Sequence, residues 1–384
     1  MMVRVLLLVL ASAGVAACSA DQVRYRPLAG LPDAAEPVVA TLYLVGDGGE
    51  VNADRDAVLA HLGSDIDAVA RDGAGPPVVV AFLGDNIYDE GAPLVRTAED
   101  SEKLAGQVLA LSRAPNVEGV FVPGNHDWAD GGSLEDGREA VARQREWVET
   151  MSEGRRVRFL PDDGCPGPVT EDIAGLVHLV FIDTEWLLRS TDGQCGSAAD
   201  FYARLSAELR EHKDRPVVIL SHHPLVSGGP HGGNVSPLDR GPLVYYLAVK
   251  SGVLRQDLGS RAYTAMRRGL LDAIAASGAP PLIHAAGHDH TLQVIRMAGP
   301  GEPRYQLVSG ALAKTSRVRR IDGTRFASDG FGYMRLDFSR DAVRVSVFVR
   351  SVDGGAVRPV FACTITQSAA PLECPEAPLA AGGS

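Results

Sequence analysis

Basic residues are scarce in this chain of 384 residues. Its 37 lysines and arginines are outnumbered by 48 acidic residues, which gives a formal net charge of −11. Proteins that bind nucleic acids need a basic stripe to displace counterions from the phosphates, so this charge argues against a nucleic-acid partner. It remains compatible with a small anionic substrate, because bound metal ions can reverse the local electric field.

Cysteine is also scarce. Five cysteines occur and no two have the CxxC spacing, which argues against a cysteine-rich metal site. Cys18 follows the N-terminal apolar segment, and the other four are an even number, as expected for disulfides in an exported protein. Proximity in sequence favours pairing Cys165 with Cys195 and Cys363 with Cys374, although four cysteines allow three connectivities.

The apolar segment at the N-terminus is too short to span a bilayer comfortably. Residues 1–17 contain one arginine, an apolar stretch and then small residues, which is typical of a secretory signal peptide. The stretch Val15-Ala16-Ala17-Cys18 resembles a bacterial lipobox, so we expect Cys18 to become the acylated first residue of an exported lipoprotein. Residues 18–37 would be its lipid-anchored tether to the membrane. The expected location is the bacterial cell envelope, in the outer membrane or facing the periplasm.

Short apolar, β-branched runs alternate with segments of helical spacing. The runs cover residues 38–45, 78–83, 119–122, 176–182, 217–220, 281–286 and 305–308. Such alternation predicts an α/β domain with a buried sheet over residues 38–366. Beyond residue 330 the pattern changes to alternating strands without helices, which predicts an antiparallel end of the same fold. The Pro/Ala/Gly-rich residues 367–384 are predicted to be a disordered tail, apart from the part that Cys374 holds.

Metal-ligand side chains follow five of these runs. They are Asp47, then Asp85 with Tyr88, then Asn125, then His222, and finally His288 with His290. In an open α/β sheet the ligand site lies beyond the carboxyl ends of the strands, so we expect these side chains to meet at one edge. Residues i and i+2 of an extended segment face the same way, so the last two histidines could address neighbouring ions. Oxygen and imidazole donors without thiolate suit Fe, Mn or Zn.

Each motif also has a simpler interpretation. A Gly-Asp pair after a strand is most often a turn or a helix cap. Paired histidines such as His222 and His223 could be one packed ring and one solvated ring. Coincidence becomes a poor explanation when five such motifs, in this order, all follow strands.

The set resembles the calcineurin-like metallophosphoesterases over about residues 42–312, and within them the purple acid phosphatases of the small tartrate-resistant type. The wider superfamily has Asp-x-His in its first motif, whereas this chain has Asp47-Gly48-Gly49. The purple branch instead has Gly-Asp-x-Gly there and adds Gly-Asp-x-x-Tyr in the second motif, as seen here at Asp85 and Tyr88. The resemblance implies a four-layer α/β/β/α sandwich with mixed sheets.

The resemblance also implies a role for each residue. One group, Asp47, Tyr88 and His290, would hold Fe(III). A second group, Asn125, His222 and His288, would hold a divalent ion (Fe, Zn or Mn), and Asp85 would bridge the two ions. His126 and His231 match the catalytic histidines that contact substrate phosphate. His223 is not expected to be a ligand, and His61, His178, His212 and His284 are expected to be packed or surface histidines.

The implied activity is hydrolysis of phosphate monoesters by attack of a metal-bound hydroxide, with an acid optimum. The alternative within the same enzyme class is a phosphodiesterase or nucleotidase that uses Mn or Zn. A different class is a surface lipoprotein that uses the scaffold for binding and has lost catalysis. The sequence leaves the physiological ester and the oligomeric state open, but all seven expected ligands are present, which favours an active hydrolase.

Overall fold

The strands of the protein follow the apolar runs of the sequence. The computed structural model describes residues 25–32, 36–130, 132–189, 194–232, 255–351, 354–366 and 373–377. In these ranges the strands are β1 (Ala40–Val45), β2 (Val78–Phe82), β3 (Val117–Phe121), β4 (Arg156–Phe159), β5 (Val169–Ile173), β6 (Val177–Phe181), β7 (Val217–Leu220), β8 (Ile283–Ala286), β9 (Leu292–Arg296), β10 (Tyr305–Ser309), β11 (Thr324–Ser328), β12 (Gly332–Phe338), β13 (Ala342–Arg350) and β14 (Val357–Thr366). The α-helices are α1 (Ala53–Ala70), α2 (Ala98–Leu109), α3 (Leu134–Thr150), α4 (Thr184–Leu188), α5 (Ala198–Glu211) and α6 (Arg261–Ser277).

These strands form two seven-stranded mixed sheets. The order is β14-β13-β12-β1-β2-β3-β4 in the first sheet and β11-β9-β10-β8-β7-β6-β5 in the second. In the first sheet β1 to β4 are parallel. In the second, β6, β7, β8 and β10 are parallel, while the pairings of β5, β9 and β11 are antiparallel. Both sheets therefore have a parallel centre whose strands end at one edge.

Alternate residues of each central strand face different layers. Leu42 and Leu44 of β1 belong to an apolar cluster with Phe181 and Leu220 of the second sheet, so this core lies between the two sheets. Tyr43, between the two leucines in sequence, belongs instead to the cluster that contains the apolar faces of the helices. The predicted four-layer α/β/β/α sandwich is therefore confirmed.

Three helices begin at capping boxes that the sequence encodes directly. At the start of α2, α3 and α5 an N-cap hydroxyl accepts a hydrogen bond from the backbone N–H three residues on, and the carboxylate of an aspartate at that position accepts one from the N-cap backbone N–H. The three pairs are Thr97 with Asp100, Ser133 with Asp136, and Ser197 with Asp200. The helical spacing of apolar residues in the sequence predicts α1, α5 and α6, and it does not predict α2 or α3.

The chain beyond residue 330 extends the first sheet, as predicted. Strand β12 pairs antiparallel with β1, and β13 and β14 follow it outward. Disulfides join Cys165 to Cys195 and Cys363 to Cys374, the pairing favoured by proximity. The second disulfide fixes residues 373–377 beside the second sheet, where Glu373 also pairs with two arginines.

Several sequence predictions concern residues outside the described ranges. These are the signal peptide at 1–17, the acylated Cys18 and most of the tail at 367–384. Part of the predicted tether, residues 25–32, is described: Tyr25 packs on Phe326 with ring centroids 4.4 Å apart, and the Leu28 N–H donates to the carbonyl oxygen of Pro359. Among the helices that the structure describes, none combines the length and the apolar composition needed to cross a membrane.

Candidate metal centre

The predicted ligands come from loops that start at the same level of the two sheets. The last residues of β1, β2 and β3 are in register, with Val45 opposite Phe82 and Phe82 opposite Phe121. In the second sheet, Leu220 at the end of β7 is in register with Ala285 of β8. The five polar loops therefore leave neighbouring strand ends, and the predicted ligands meet at one edge of the sandwich.

One group of side chains gathers around the hydroxyl of Tyr88. This hydroxyl donates to Asp47 Oδ1 at 3.1 Å and lies 3.1 Å from His290 Nε2. The same imidazole nitrogen is 3.5 Å from Asp47 Oδ1. The three atoms come from three loops of both sheets, and they form the set that the resemblance assigns to a ferric ion.

A second group gathers around the side-chain oxygen of Asn125. His222 Nε2 lies 3.0 Å and His288 Nδ1 lies 3.1 Å from this oxygen, and the two nitrogens are 3.2 Å apart. Asp85 lies between the two groups. One of its oxygens is 3.3 Å from His222 Nε2, and its carboxylate also clusters with Asp47 and His290. This is the position that a bridging carboxylate requires.

In His222 and His288, the ring nitrogen that faces away from Asn125, here called the outer nitrogen, shows why the second group suits a cation. His222 Nδ1 faces the carbonyl oxygen of Leu83 at 2.8 Å, and His288 Nε2 faces that of Gln256 at 2.8 Å. Each outer nitrogen must donate to its carbonyl, so in the neutral rings the inner nitrogens carry lone pairs towards Asn125. Three acceptors 3.0 to 3.2 Å apart repel one another unless a cation lies among them. The residues therefore fit a metal ion.

The electrostatics of the centre couple the carboxylates to the imidazoles. Burial raises the pKa of Asp47 well above its usual range. Burial also tends to raise the pKa of Asp85. The charge interactions and hydrogen bonds of Asp85 with His222 and His126 are stronger than this effect, so the pKa of Asp85 is lowered. Burial would lower the pKa of His222, but Asp85 and Asp47 raise it to about 10. A proton on His222 and a metal ion thus compete for the same lone pair, and metal binding should release protons.

Three of the predicted ligands have backbone conformations that residues other than glycine rarely adopt. The φ angles of Asp47, Asp85 and His288 are 61°, 54° and 67°. A positive φ is uncommon outside glycine, and such strain tends to occur at functional sites, where the surrounding structure holds it. Each of these three residues directly follows a glycine that lies just beyond the end of a strand.

Gly49 occupies the position where the wider superfamily has a histidine ligand. A Cβ at this position would lie 2.6 Å from the backbone nitrogen of Tyr88 and 2.8 Å from the carbonyl oxygen of Asp85. The two loops are joined there by backbone hydrogen bonds, from Gly49 N to Asp85 O at 2.9 Å and from Tyr88 N to Gly49 O at 3.0 Å. No side chain fits at residue 49 while the Tyr88 loop has this path.

Asp127 holds the second and third loops together. Its buried carboxylate accepts hydrogen bonds from the backbone and side chain of Asn86, from the backbone of Ile87 and from the backbone of Gly124, at 2.8 to 3.2 Å. It fixes Asp85 relative to Asn125 without being a ligand itself, because all four bonds go to structural N–H groups.

The two predicted catalytic histidines lie at the open side of the centre. The backbone N–H of His126 donates to Asp85 Oδ1 at 3.0 Å, and its Nε2 is 4.0 Å from Asp85 Oδ2. The His231 ring lies 4.3 Å from the ring of His288. Their side chains are 23% and 30% exposed, whereas Asp85 is 1% exposed, so both can meet a substrate that enters from solvent. The sequence predicts a flexible Gly/Pro-rich rim at 228–240, which lies outside the described residues from position 233 onward.

His223 is buried behind the centre. Its Nδ1 lies 2.8 Å from the hydroxyl of Thr184, and its Nε2 lies 2.8 Å from the side-chain oxygen of Gln256. The ring is near enough to His222 and His288 to form a trio of potential ligands. Both of its nitrogens already have protein partners, and that His223 is not a ligand remains a prediction.

Several residues of the centre had no signal in the sequence. Asp257 accepts from His231 Nδ1 at 2.8 Å, Gln256 supports two histidines, and the Lys314 ammonium lies 3.5 Å from the centre of the Tyr88 ring. None of the three belongs to a short motif, so only the folded chain identifies them.

Comparison with known proteins assigns the chain to a family. The profile of the calcineurin-like phosphoesterases matches residues 44–252, more than half of the chain. The chain belongs to this family. Phosphoesterases of this family hydrolyse phosphate esters and typically carry two metal ions, and the two ligand groups above are the candidates for holding them. No match was found among curated protein sequences.

Two solved structures share the fold of this phosphoesterase. PhoD matches with a TM-score of 0.55 at 13% identity, covering 88% of this chain and 71% of PhoD. GAP50, described as the anchor in the inner membrane complex of Plasmodium, matches with a TM-score of 0.52 at 13% identity, covering 85% of this chain and 88% of GAP50. The predicted family and the enzyme class, a phosphoester hydrolase, are confirmed.

Proposed function

We propose that this phosphoesterase is an exported acid phosphatase of the purple type, which hydrolyses phosphate monoesters with Fe(III) and a divalent ion. One observation carries the proposal: a buried tyrosine hydroxyl lies 3.1 Å from both a carboxylate and an imidazole, next to the shared carboxylate Asp85. A phenolate is a ligand suited to a ferric ion, and no tyrosine would be needed there for two divalent ions.

The donor types support one ion in each group. Asp47 and Tyr88 supply anionic oxygens with His290, which suits a small trivalent ion. Asn125, His222 and His288 supply neutral donors, which suit divalent Fe, Zn or Mn. Asp85, 3.3 Å from His222 Nε2 and clustered with Asp47, would bind both ions.

The chain's own residues would position the ester and manage its protons. When bound, the two ions would neutralise the phosphoryl oxygens and activate water for in-line attack. His126 Nδ1 faces the carbonyl oxygen of Asp89, so its Nε2 is the atom available to a phosphoryl oxygen. His231 Nδ1 is held by Asp257 at 2.8 Å, so its Nε2 is the atom available to protonate the leaving alkoxide.

The test is elemental analysis together with a visible spectrum and hydrolysis of p-nitrophenyl phosphate. We expect two metal ions per chain, at least one of them iron, visible absorption from the phenolate–iron pair, and the fastest turnover below neutral pH. Asp85→Ala should lose both metal ions and turnover, whereas the exposed Asp67→Ala should lose neither. An Asp85→Ala protein with full metal content and activity would contradict the proposal.

Tyr88→Phe tests the ferric group separately. We expect it to lose the visible absorption and to keep part of the activity, while Tyr202→Phe, a half-buried tyrosine on α5, should keep both. A colourless, iron-loaded and oxidised wild type would show that Tyr88 is not a ligand. Manganese or zinc without iron, together with a preference for diesters, would favour the phosphodiesterase or nucleotidase alternative.

We also propose that the enzyme acts in the cell envelope as a lipoprotein anchored through Cys18. The signal-like residues 1–17, the lipobox-like sequence before Cys18 and two disulfides support this, because structural disulfides persist mainly in oxidising compartments. Cys18→Ala should move the protein from the membrane fraction to the soluble fraction and abolish labelling by a fatty-acid probe. Unchanged membrane attachment would refute this anchor.

A further inference from the structure

Two histidines and a glutamate meet at the opposite end of the second sheet from the candidate metal centre. His178 lies at the start of β6, where it pairs with Val217 at the start of β7. Glu208 and His212 lie one turn apart at the end of α5. At about 3.3 Å per residue, the five residues from Val217 to His222 place His222 about 16 Å along the chain direction from the level of His178. This cluster is therefore separate from the candidate metal centre.

Both nitrogens of His178 face carboxylates. Its Nδ1 lies 2.7 Å from Asp172 Oδ1, and its Nε2 lies 3.0 Å from Glu208 Oε1. His212 Nε2 lies 3.0 Å from the same Glu208 oxygen, and the two imidazole rings stack with centroids 3.7 Å apart. Ionised carboxylates only accept, so a neutral His178 that donates to Asp172 points its Nε2 lone pair at the lone pairs of Glu208, and either a proton or a metal ion must lie between them.

Three atoms, His178 Nε2, His212 Nε2 and Glu208 Oε1, have the spacing of metal ligands. A tetrahedral ion with bonds of about 2.1 Å separates its ligand atoms by roughly 3.4 Å. The two nitrogens are each 3.0 Å from the carboxylate oxygen, and all three atoms lie within 4.8 Å of one another. Shifts of a few tenths of an ångström would therefore admit an ion among them.

Asp172 supplies the outer hydrogen bond that metal-binding histidines usually have. It is directly opposite His178 in the antiparallel pairing of β5 with β6, so the sheet itself fixes the contact. Its second oxygen accepts from Arg215 at 2.6 Å, which holds the carboxylate in place and balances its charge. The arrangement orients His178 with Nε2 directed at Glu208 and His212.

We propose that His178, Glu208 and His212 form a second metal site for a divalent transition ion of the zinc class. Two imidazoles and one carboxylate suit zinc and disfavour calcium and magnesium, which prefer oxygen ligands. The ion would fasten the end of α5 to β6, and its fourth position would be open to solvent, since Glu208 and His212 are 25% and 19% exposed. The site does not depend on the activity proposed above.

The test is a zinc titration of the full-length protein after its catalytic centre has been loaded and free metal removed. We expect one further equivalent of zinc. Glu208→Gln and His212→Ala should each weaken its binding at least tenfold, with unchanged hydrolysis of p-nitrophenyl phosphate. Glu211→Gln, which removes the same charge from an exposed position on the same helix, should bind zinc as the wild type does.

Two further measurements separate a metal site from a network of hydrogen bonds. Cobalt in place of zinc should give a visible ligand-field spectrum that disappears in His212→Ala. Asp172→Asn should weaken zinc about tenfold or more, because it removes the outer partner of His178. Absence of the further equivalent, or its retention with wild-type affinity in both Glu208→Gln and His212→Ala, would overturn the proposal. These two positions are half-buried, so the test avoids a change at the buried His178.

Discussion

Gly49→Ala is the sharpest test of how the first and second loops are joined. The added methyl group would lie 2.6 Å from the Tyr88 nitrogen, 2.7 Å from the Ile87 nitrogen and 2.8 Å from the Asp85 carbonyl oxygen. All three are backbone atoms, so no side chain can rotate away to make room. Gly49 does not have a positive φ, so the cost comes from contact alone and not from backbone strain.

The magnitude follows from the tightness of this contact. Overpacking a closely packed site destabilises a protein by about 1–3 kcal/mol. Replacing glycine by alanine stabilises it by about 0.4–1 kcal/mol, because alanine lowers the conformational entropy of the unfolded chain. We therefore expect a net loss of about 1–2 kcal/mol in the free energy of unfolding and a fall of a few degrees in the melting temperature. The displaced loop carries Asp85 and Tyr88, and misplacement by a fraction of an ångström should lower kcat/KM at least tenfold.

The assays are thermal unfolding, metal content and hydrolysis of p-nitrophenyl phosphate. Gly30→Ala is the matched control, because a Cβ there would have no atom within 4 Å and its φ is not positive. Gly49→His, which introduces the histidine of the wider superfamily, should bind less metal than the wild type. The reasoning is refuted if Gly49→Ala keeps the wild-type melting temperature, metal content and kcat/KM.

Three further outcomes are expected. Asp127→Asn leaves at least one buried N–H without its acceptor and should cost about 1–3 kcal/mol in urea unfolding; an unchanged unfolding midpoint would contradict this. Burial raises the pKa of Asp183 to about 7, above its unfolded value, so its contribution to stability is complete below about pH 4 and is lost as pH rises through 7. The stability of the wild type relative to Asp183→Asn should therefore decline over that range, and a constant difference would rule this out. Removing all metal with a chelator should lower the melting temperature, and adding metal back should restore it; equal melting temperatures of the two forms would count against a centre that binds metal in the folded state alone.

The sequence was most informative where apolar strands end in short motifs. The central strands β1, β2, β3, β7 and β8 are mostly apolar, as is typical of a buried parallel sheet. Their exit motifs carry all seven expected ligands, because the fold brings the strand ends together whatever the length of chain between them. The structure places these ligands in one centre, and their metal-binding roles remain predictions.

The helices, strands and site residues that the sequence did not predict were missed for physical reasons. Helix α3 is mostly polar and presents few apolar residues, and β4 is an edge strand whose Arg156 and Arg158 face solvent, so neither has a strong periodic signal. Gln256, Asp257 and Lys314 are positioned by contacts between distant segments, which spacing along the chain does not encode. The sequence predicts a loop over residues 91–102, yet the capping box at Thr97 starts α2 there.

The tyrosine at 88 and the glycine at 49 are structurally coupled. The Gly49 carbonyl accepts from the Tyr88 nitrogen, and the Gly49 nitrogen donates to Asp85, so the second loop lies where a side chain of residue 49 would begin. The same loop then directs the Tyr88 hydroxyl to Asp47 and His290. A histidine at 49 and this path of the second loop exclude each other through backbone atoms. The second loop therefore occupies the place of a side chain at residue 49 and carries the Tyr88 hydroxyl that we propose as the replacement ligand.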